Sequence, residues 1–167
     1  MINLLDVQTI HGVMDMLVNG INPVLFVVIL MGVLSALSSA TPTTRAASLR
    51  RALWLCAVGC VAIAVPVVFA EVGKRYVVWQ GHSGFPSGHT TFAASASAVI
   101  VAYRGKPWLL LAVPATALMM FALVYLRYHE TGDVFGGLLL GAGIGALMTR
   151  LLVRPRVADI PPSHDKL

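Results

Sequence analysis

The chain has 167 residues, of which 57% are hydrophobic and only 11% charged, with a mean hydropathy of +0.82. Soluble domains carry about 25% charged residues, so this composition weighs against a water-soluble core of this size. The net charge of +5 is held mainly in short loops between apolar runs, a pattern that encodes membrane topology rather than nucleic-acid binding.

Residues 1–20 lack the basic start of a secretory signal. Leu4, Leu5, Ile10, Val13, Met14 and Leu17 recur at roughly helical spacing. This predicts an amphipathic helix on the membrane surface, or an arm packed against the bundle. Five spanning segments follow, at about 21–40, 52–71, 88–103, 107–126 and 134–152, each near the ~20 residues that cross a bilayer. Cys56 and Cys60 share one face of the second, with no further metal ligands in view, and read as small apolar side chains. The third segment is rich in Ala and Ser, so it should be enclosed by its neighbours. The fifth carries Gly137, Gly141 and Gly145 at intervals of four, a ridge that lets another helix approach, within the chain or in a second copy. The expected fold is all-α: a polytopic transmembrane bundle over 21–153, preceded by the 1–20 helix and followed by a basic tail at 154–167.

The loops set the expected orientation. Arg45, Arg50, Arg51, Arg104, Lys106, Arg150, Arg154, Arg156 and Lys166 fall on one side if all five segments span. That side, with the C-terminus, is expected to be cytoplasmic. The opposite side, periplasmic or extracellular, holds only Lys74, Arg75 and Arg127, all in two loops that also carry histidines. The protein is thus expected in the plasma (inner) membrane of a cell, as a multi-pass chain.

The first of those loops ends in FPSGHTT, residues 85–91. Pro86 restricts the chain before a helix start, Ser87 can cap that helix, and Gly88 permits close backbone approach. Helix N-termini attract phosphate, and His89 lies in the first turn. The second loop reads RYHETGDV, residues 127–134. His129 and Asp133 are four apart, so one helical turn joins them. An aspartate on one ring nitrogen fixes the tautomer and frees the other nitrogen to attack. Glu71 precedes Lys74 and Arg75 by three and four residues, the spacing of a helical ion pair.

These residues resemble the type 2 phosphatidic acid phosphatase (PAP2) superfamily, whose motifs are K-x6-R-P, P-S-G-H and S-R-x5-H-x3-D. Pro86, Ser87, Gly88 and His89 match the second motif in full, and His129 with Asp133 match the end of the third. Lys74 fits the start of the first motif, but Gly81 and His82 stand where arginine and proline are expected. Leu123 stands where the third motif has its arginine, and the nearest arginine is Arg127. The resemblance covers roughly 70–150 and implies a helical membrane enzyme that needs no metal or other cofactor. It also implies roles. His129 attacks phosphorus, Asp133 holds its ring, and His89 protonates the leaving group. Lys74, Ser87 and Gly88 hold the phosphate. Physical reasoning adds Arg127, or Arg75, as the missing cation, with Gln80 or His82 as a further donor. The implied substrate is a membrane lipid: phosphatidate, phosphatidylglycerol phosphate, or a polyprenyl phosphate or diphosphate. A lipid phosphotransferase and a non-catalytic lipid-phosphate binder or transporter are the other readings. Oligomeric state is left open.

Overall fold

The computed structural model describes residues 4–38, 45–76 and 83–153. Five helices account for nearly all of them: α1 (Leu4–Ser38), α2 (Arg45–Arg75), α3 (Gly88–Arg104), α4 (Leu109–Tyr125) and α5 (Thr131–Val153). A single 3₁₀ turn, Lys106–Trp108, leads into α4. The all-α bundle expected from composition is what forms. The basic tail at 154–167 lies outside the described residues.

Among the described residues, four helices are long and apolar enough to cross a membrane: α1, α2, α4 with its leading turn, and α5. Their outward faces carry Val27, Met31, Leu53, Phe69, Leu110, Val113, Leu139 and Leu151, all exposed. Soluble monomers rarely expose contiguous apolar surface on this scale; here it forms the lipid-facing belt.

The third predicted span differs. Helix α3 has only 17 residues and sits at the centre, in contact with α1, α2, α4 and α5. Its Ala93, Ala94, Ala96, Ser95 and Val99 are essentially inaccessible. Small side chains are what allow four helices to close around a fifth. Ser95 donates from Oγ to the Gly141 carbonyl at 3.2 Å, and Ser97 Oγ meets Thr116 Oγ1 at 2.9 Å. These bonds satisfy the polar groups that α3 brings into the interior.

The glycine ridge of α5 serves internal packing. A Cβ on Gly137 would run into Ser87, just before α3, and one on Gly141 or Gly145 into Thr91 or Ser95 of α3. The α3–α5 contact is the most extensive in the bundle, and it sets the distance between the two histidine motifs.

The predicted boundary between 20 and 21 is not a break. One helix of 35 residues runs through it and through Pro23. At ~1.5 Å per residue it outruns the ~30 Å hydrocarbon layer. Its first half packs against the turn after α4: the His11 ring lies 6.2 Å from that of Tyr125, and the Tyr128 hydroxyl donates to Asp15 Oδ1 at 3.1 Å.

Candidate active site

The end of α2, the start of α3, the end of α4 and the start of α5 meet at one end of the bundle. At the start of α3, Ser87 has extended backbone angles, and its Oγ accepts a hydrogen bond from the Thr90 N–H at 3.4 Å. Its carbonyl accepts from the Thr91 N–H at 2.9 Å and from the Thr91 hydroxyl at 2.7 Å. Ser87 is therefore the predicted cap, and it is fully buried with its hydroxyl turned toward Thr90. The N–H groups of the first turn, beginning at Gly88, have no acceptor within the helix and carry its partial positive charge.

The last turn of α2 lies across this helix start. Lys74 Nζ bonds Glu71 Oε1 at 2.8 Å, the predicted ion pair. A Cβ on Gly88 would collide with that same Glu71 oxygen and come 3.6 Å from Lys74 Nζ. Gly88 is thus needed for close approach, and the object approaching is a carboxylate held by a lysine.

Helix α4 ends in a Schellman motif. The Tyr128 N–H bonds the Leu123 carbonyl at 3.0 Å and the Arg127 N–H bonds the Val124 carbonyl at 3.0 Å. Such an ending needs a left-handed residue, usually glycine. Here that residue is Arg127, with φ +56°. A side chain at such a position costs about 1 kcal/mol or more.

The turn delivers His129 to Asp133. His129 Nδ1 lies 3.3 Å from Asp133 Oδ2, and the two side chains are 14% and 8% exposed. The same oxygen accepts the Glu130 N–H at 3.2 Å. Asp133 thereby reaches back to cap α5 as well as holding the histidine, half of a capping box. No hydrogen bond reaches His129 Nε2 among the described residues.

The two motifs are tied together directly. The Ser87 N–H donates to the Asp133 carbonyl at 2.9 Å. Gly84 passes so close over the pair that a Cβ there would strike Asp133 Oδ2 and stand 3.2 Å from His129 Nδ1. Gly136 likewise leaves room for the Phe85 ring. Neither glycine was singled out by motif reading. Their signal is only that each adjoins a motif, and its meaning depends on α3 meeting α5. His89 lies within electrostatic reach of His129, Lys74 and Glu71, and Asn22 of α1 donates to its carbonyl at 3.5 Å.

Lys74, Ser87, Gly88, His89, His129 and Asp133 thus gather at one end. Arg127 lines a cavity of about 470 Å³ together with Ser83, Gly84, His129, Glu130 and Asp133. Arg75 is exposed at the tip of α2, with no ion pair to the cluster among the described residues. Gln80 and His82 lie outside the described residues. No group of three or more His, Cys, Asp or Glu with the arrangement of a metal site occurs among the described residues.

A family model for the PAP2 superfamily matches residues 64–156. The chain belongs to the PAP2 superfamily. Its PAP2 region runs from the middle of α2 past the end of α5 and contains every predicted site residue. With four helices of membrane length around it, this is a phosphatase-type membrane protein of the PAP2 class. No curated protein and no solved structure matches the chain.

Proposed function

We propose that the protein hydrolyses a lipid phosphomonoester or diphosphate through a phosphohistidine intermediate. The observation that carries this reading is the His129–Asp133 bond at 3.3 Å, which leaves the second ring nitrogen on the far side of the imidazole with no hydrogen-bond partner among the described residues. A carboxylate on Nδ1 selects the tautomer whose Nε2 lone pair is available for attack.

In the proposed reaction, the first-turn N–H groups of α3 and the Lys74 ammonium hold the phosphate. Ser87 acts through the helix start it caps. The His129 Nε2 lone pair forms a bond to phosphorus as the bond to the lipid oxygen breaks. His89 gives its proton to that departing oxygen. Water then attacks the phosphohistidine, its proton passes to His89, and the N–P bond breaks to release inorganic phosphate. General acid help of this kind contributes about 10²–10⁴ in rate.

Glu71 competes with the substrate for the same ground. Its carboxylate sits against Gly88 and on Lys74, where phosphate oxygens would bind, so it has to swing aside. It is 57% exposed and can do so. Glu71→Gln is therefore expected to tighten inhibition by inorganic phosphate. An exposed charge pair contributes about 0.2–1 kcal/mol, so the inhibition constant should fall by a factor between about 1.4 and 5. An unchanged constant would remove Glu71 from the anion site.

Arg127 is the proposed replacement for the missing motif arginines, with Arg75 the weaker candidate. Its left-handed backbone separates stability from function. Arg127→Gly relieves the strain and should stabilise the fold by about 1 kcal/mol. Loss of a transition-state cation should at the same time lower phosphate release by roughly 10²-fold. Full activity in that variant would rule out the assignment.

The described basic residues Arg45, Arg50, Arg51, Arg104, Lys106 and Arg150 stand at the ends of helices opposite the histidines. By the positive-inside rule that end faces the cytoplasm, and the site opens to the outer face of the plasma membrane. The direct test of function is phosphate release by the detergent-purified protein. The substrates are phosphatidate, phosphatidylglycerol phosphate, polyprenyl phosphate and polyprenyl diphosphate, each with and without a chelator. Release from at least one, unaffected by the chelator, is expected. No release from any would leave a lipid-phosphate binder.

A further inference from the structure

A second cavity, of about 390 Å³, lies between α1, α2 and α3 at the end opposite the histidines. Its walls are apolar, with Val28, Ile29 and Ile100 among them, and its mouth is set with Arg51, Arg104 and Ser48. Arg51 and Ser48 stand in the first two turns of α2, where the helix adds partial positive charge. Arg104 rests its guanidinium 4.7 Å above the Trp108 ring, which aligns the group without neutralising it.

Neither arginine has an acidic partner among the described residues. The helical carboxylates Asp6, Asp15, Glu71 and Asp133 stand in the halves of α1, α2 and α5 nearer the histidines, and Glu130 adjoins His129. Two guanidinium groups with no acidic partner among the described residues, set over an apolar trough, call for a ligand with one anionic oxygen cluster and a hydrocarbon chain. Arginine suits this role because its fork matches phosphate oxygens. Basic recesses between transmembrane helices bind anionic head groups by the same chemistry.

We infer that this cavity is a binding site for an anionic phospholipid of the leaflet opposite the active site, its phosphate held between Arg51 and Arg104. The site is independent of the histidines and of the reaction they perform. The ligand has its own role, closing the gap between α1, α2 and α3 that no described side chain fills.

The test measures the thermal unfolding midpoint of the detergent-purified protein. It is read against short-chain phosphatidylglycerol, phosphatidylcholine of the same chains, and inorganic phosphate. A ligand that binds only the folded state raises the midpoint with concentration. Phosphatidylglycerol should raise it through this cavity and phosphatidylcholine should not; any rise with inorganic phosphate, which binds at the histidines, should be the same in wild type and in the double variant below. In an Arg51→Gln, Arg104→Gln double variant the half-saturating concentration, read against that variant's own lipid-free midpoint, should rise roughly tenfold or more, with phosphate release unchanged. Equal stabilisation by phosphatidylcholine would overturn the assignment. So would an undiminished response in the double variant. Should that variant fail to fold, Gly32→Leu keeps both arginines and fills the trough. The Cβ position of Gly32 is 3.6 Å from the Arg104 side chain, so the leucine should abolish the response. A retained response there also overturns the assignment.

Discussion

Replacing His129 by alanine is expected to reduce phosphate release by about 10⁴-fold or more, the scale seen when a nucleophile is removed. The fold should survive, because Asp133 keeps its bond from the Glu130 N–H and its carbonyl keeps the Ser87 N–H. His89→Ala should behave differently. A general acid matters in proportion to how poor the leaving group is, and its loss costs about 10²–10⁴ with an alkoxide. With an aryl phosphate, whose leaving oxygen needs no proton, the His89 variant should recover most of its first-step rate. The His129 variant should recover none. The measurement is single-turnover release of the leaving group from an alkyl and an aryl phosphate in both variants. Recovery by the His129 variant would exchange the two roles or remove the nucleophile.

Gly141→Ala is expected to be the most damaging small change to the fold. An added methyl would collide with the Thr91 carbonyl oxygen and press on the Ala94 side chain. The obstacle is backbone at the centre of the bundle, which cannot turn away as a flexible side chain can. Overpacking of this kind costs about 1–3 kcal/mol. The same substitution two residues on reverses the sign. Gly143 has nothing within 4 Å of its Cβ position, so alanine there gains helix propensity, about 0.5–1 kcal/mol. Thermal or denaturant unfolding in detergent should separate the two variants in opposite directions from wild type. The Gly141 variant should also lose activity, because Gly137, one turn earlier, abuts the Ser87 carbonyl. Equal midpoints would mean that α3 and α5 do not pack as closely as described.

By itself the sequence determined whatever depends on composition and short spacing. The apolar runs required helices in lipid, since only there are all backbone groups satisfied within one segment. Ser87 could be read as a cap, and the four-residue spacing of His129 and Asp133 could be read as a pair. Both are properties of a single helix turn. The enclosure of α3 was legible as well, because a spanning segment built from Ala and Ser has little reason to face lipid.

The tertiary structure decided what lies between elements. The glycine ridge was compatible with a neighbour in the chain or in a second copy, and packing assigned it to α3. Residues 4–38 became one helix because the first half found partners in Tyr125 and Tyr128, which no local periodicity could announce. Arg127 looked like an arginine out of register. Its place in the cavity follows from a left-handed helix ending that depends on how α4 hands the chain to α5. The two histidine loops were each visible as motifs. Their union rests on the Ser87 N–H to Asp133 carbonyl bond and on Gly84 clearing the pair. Both bring together residues roughly fifty positions apart, a separation at which only packing, not spacing, determines what touches.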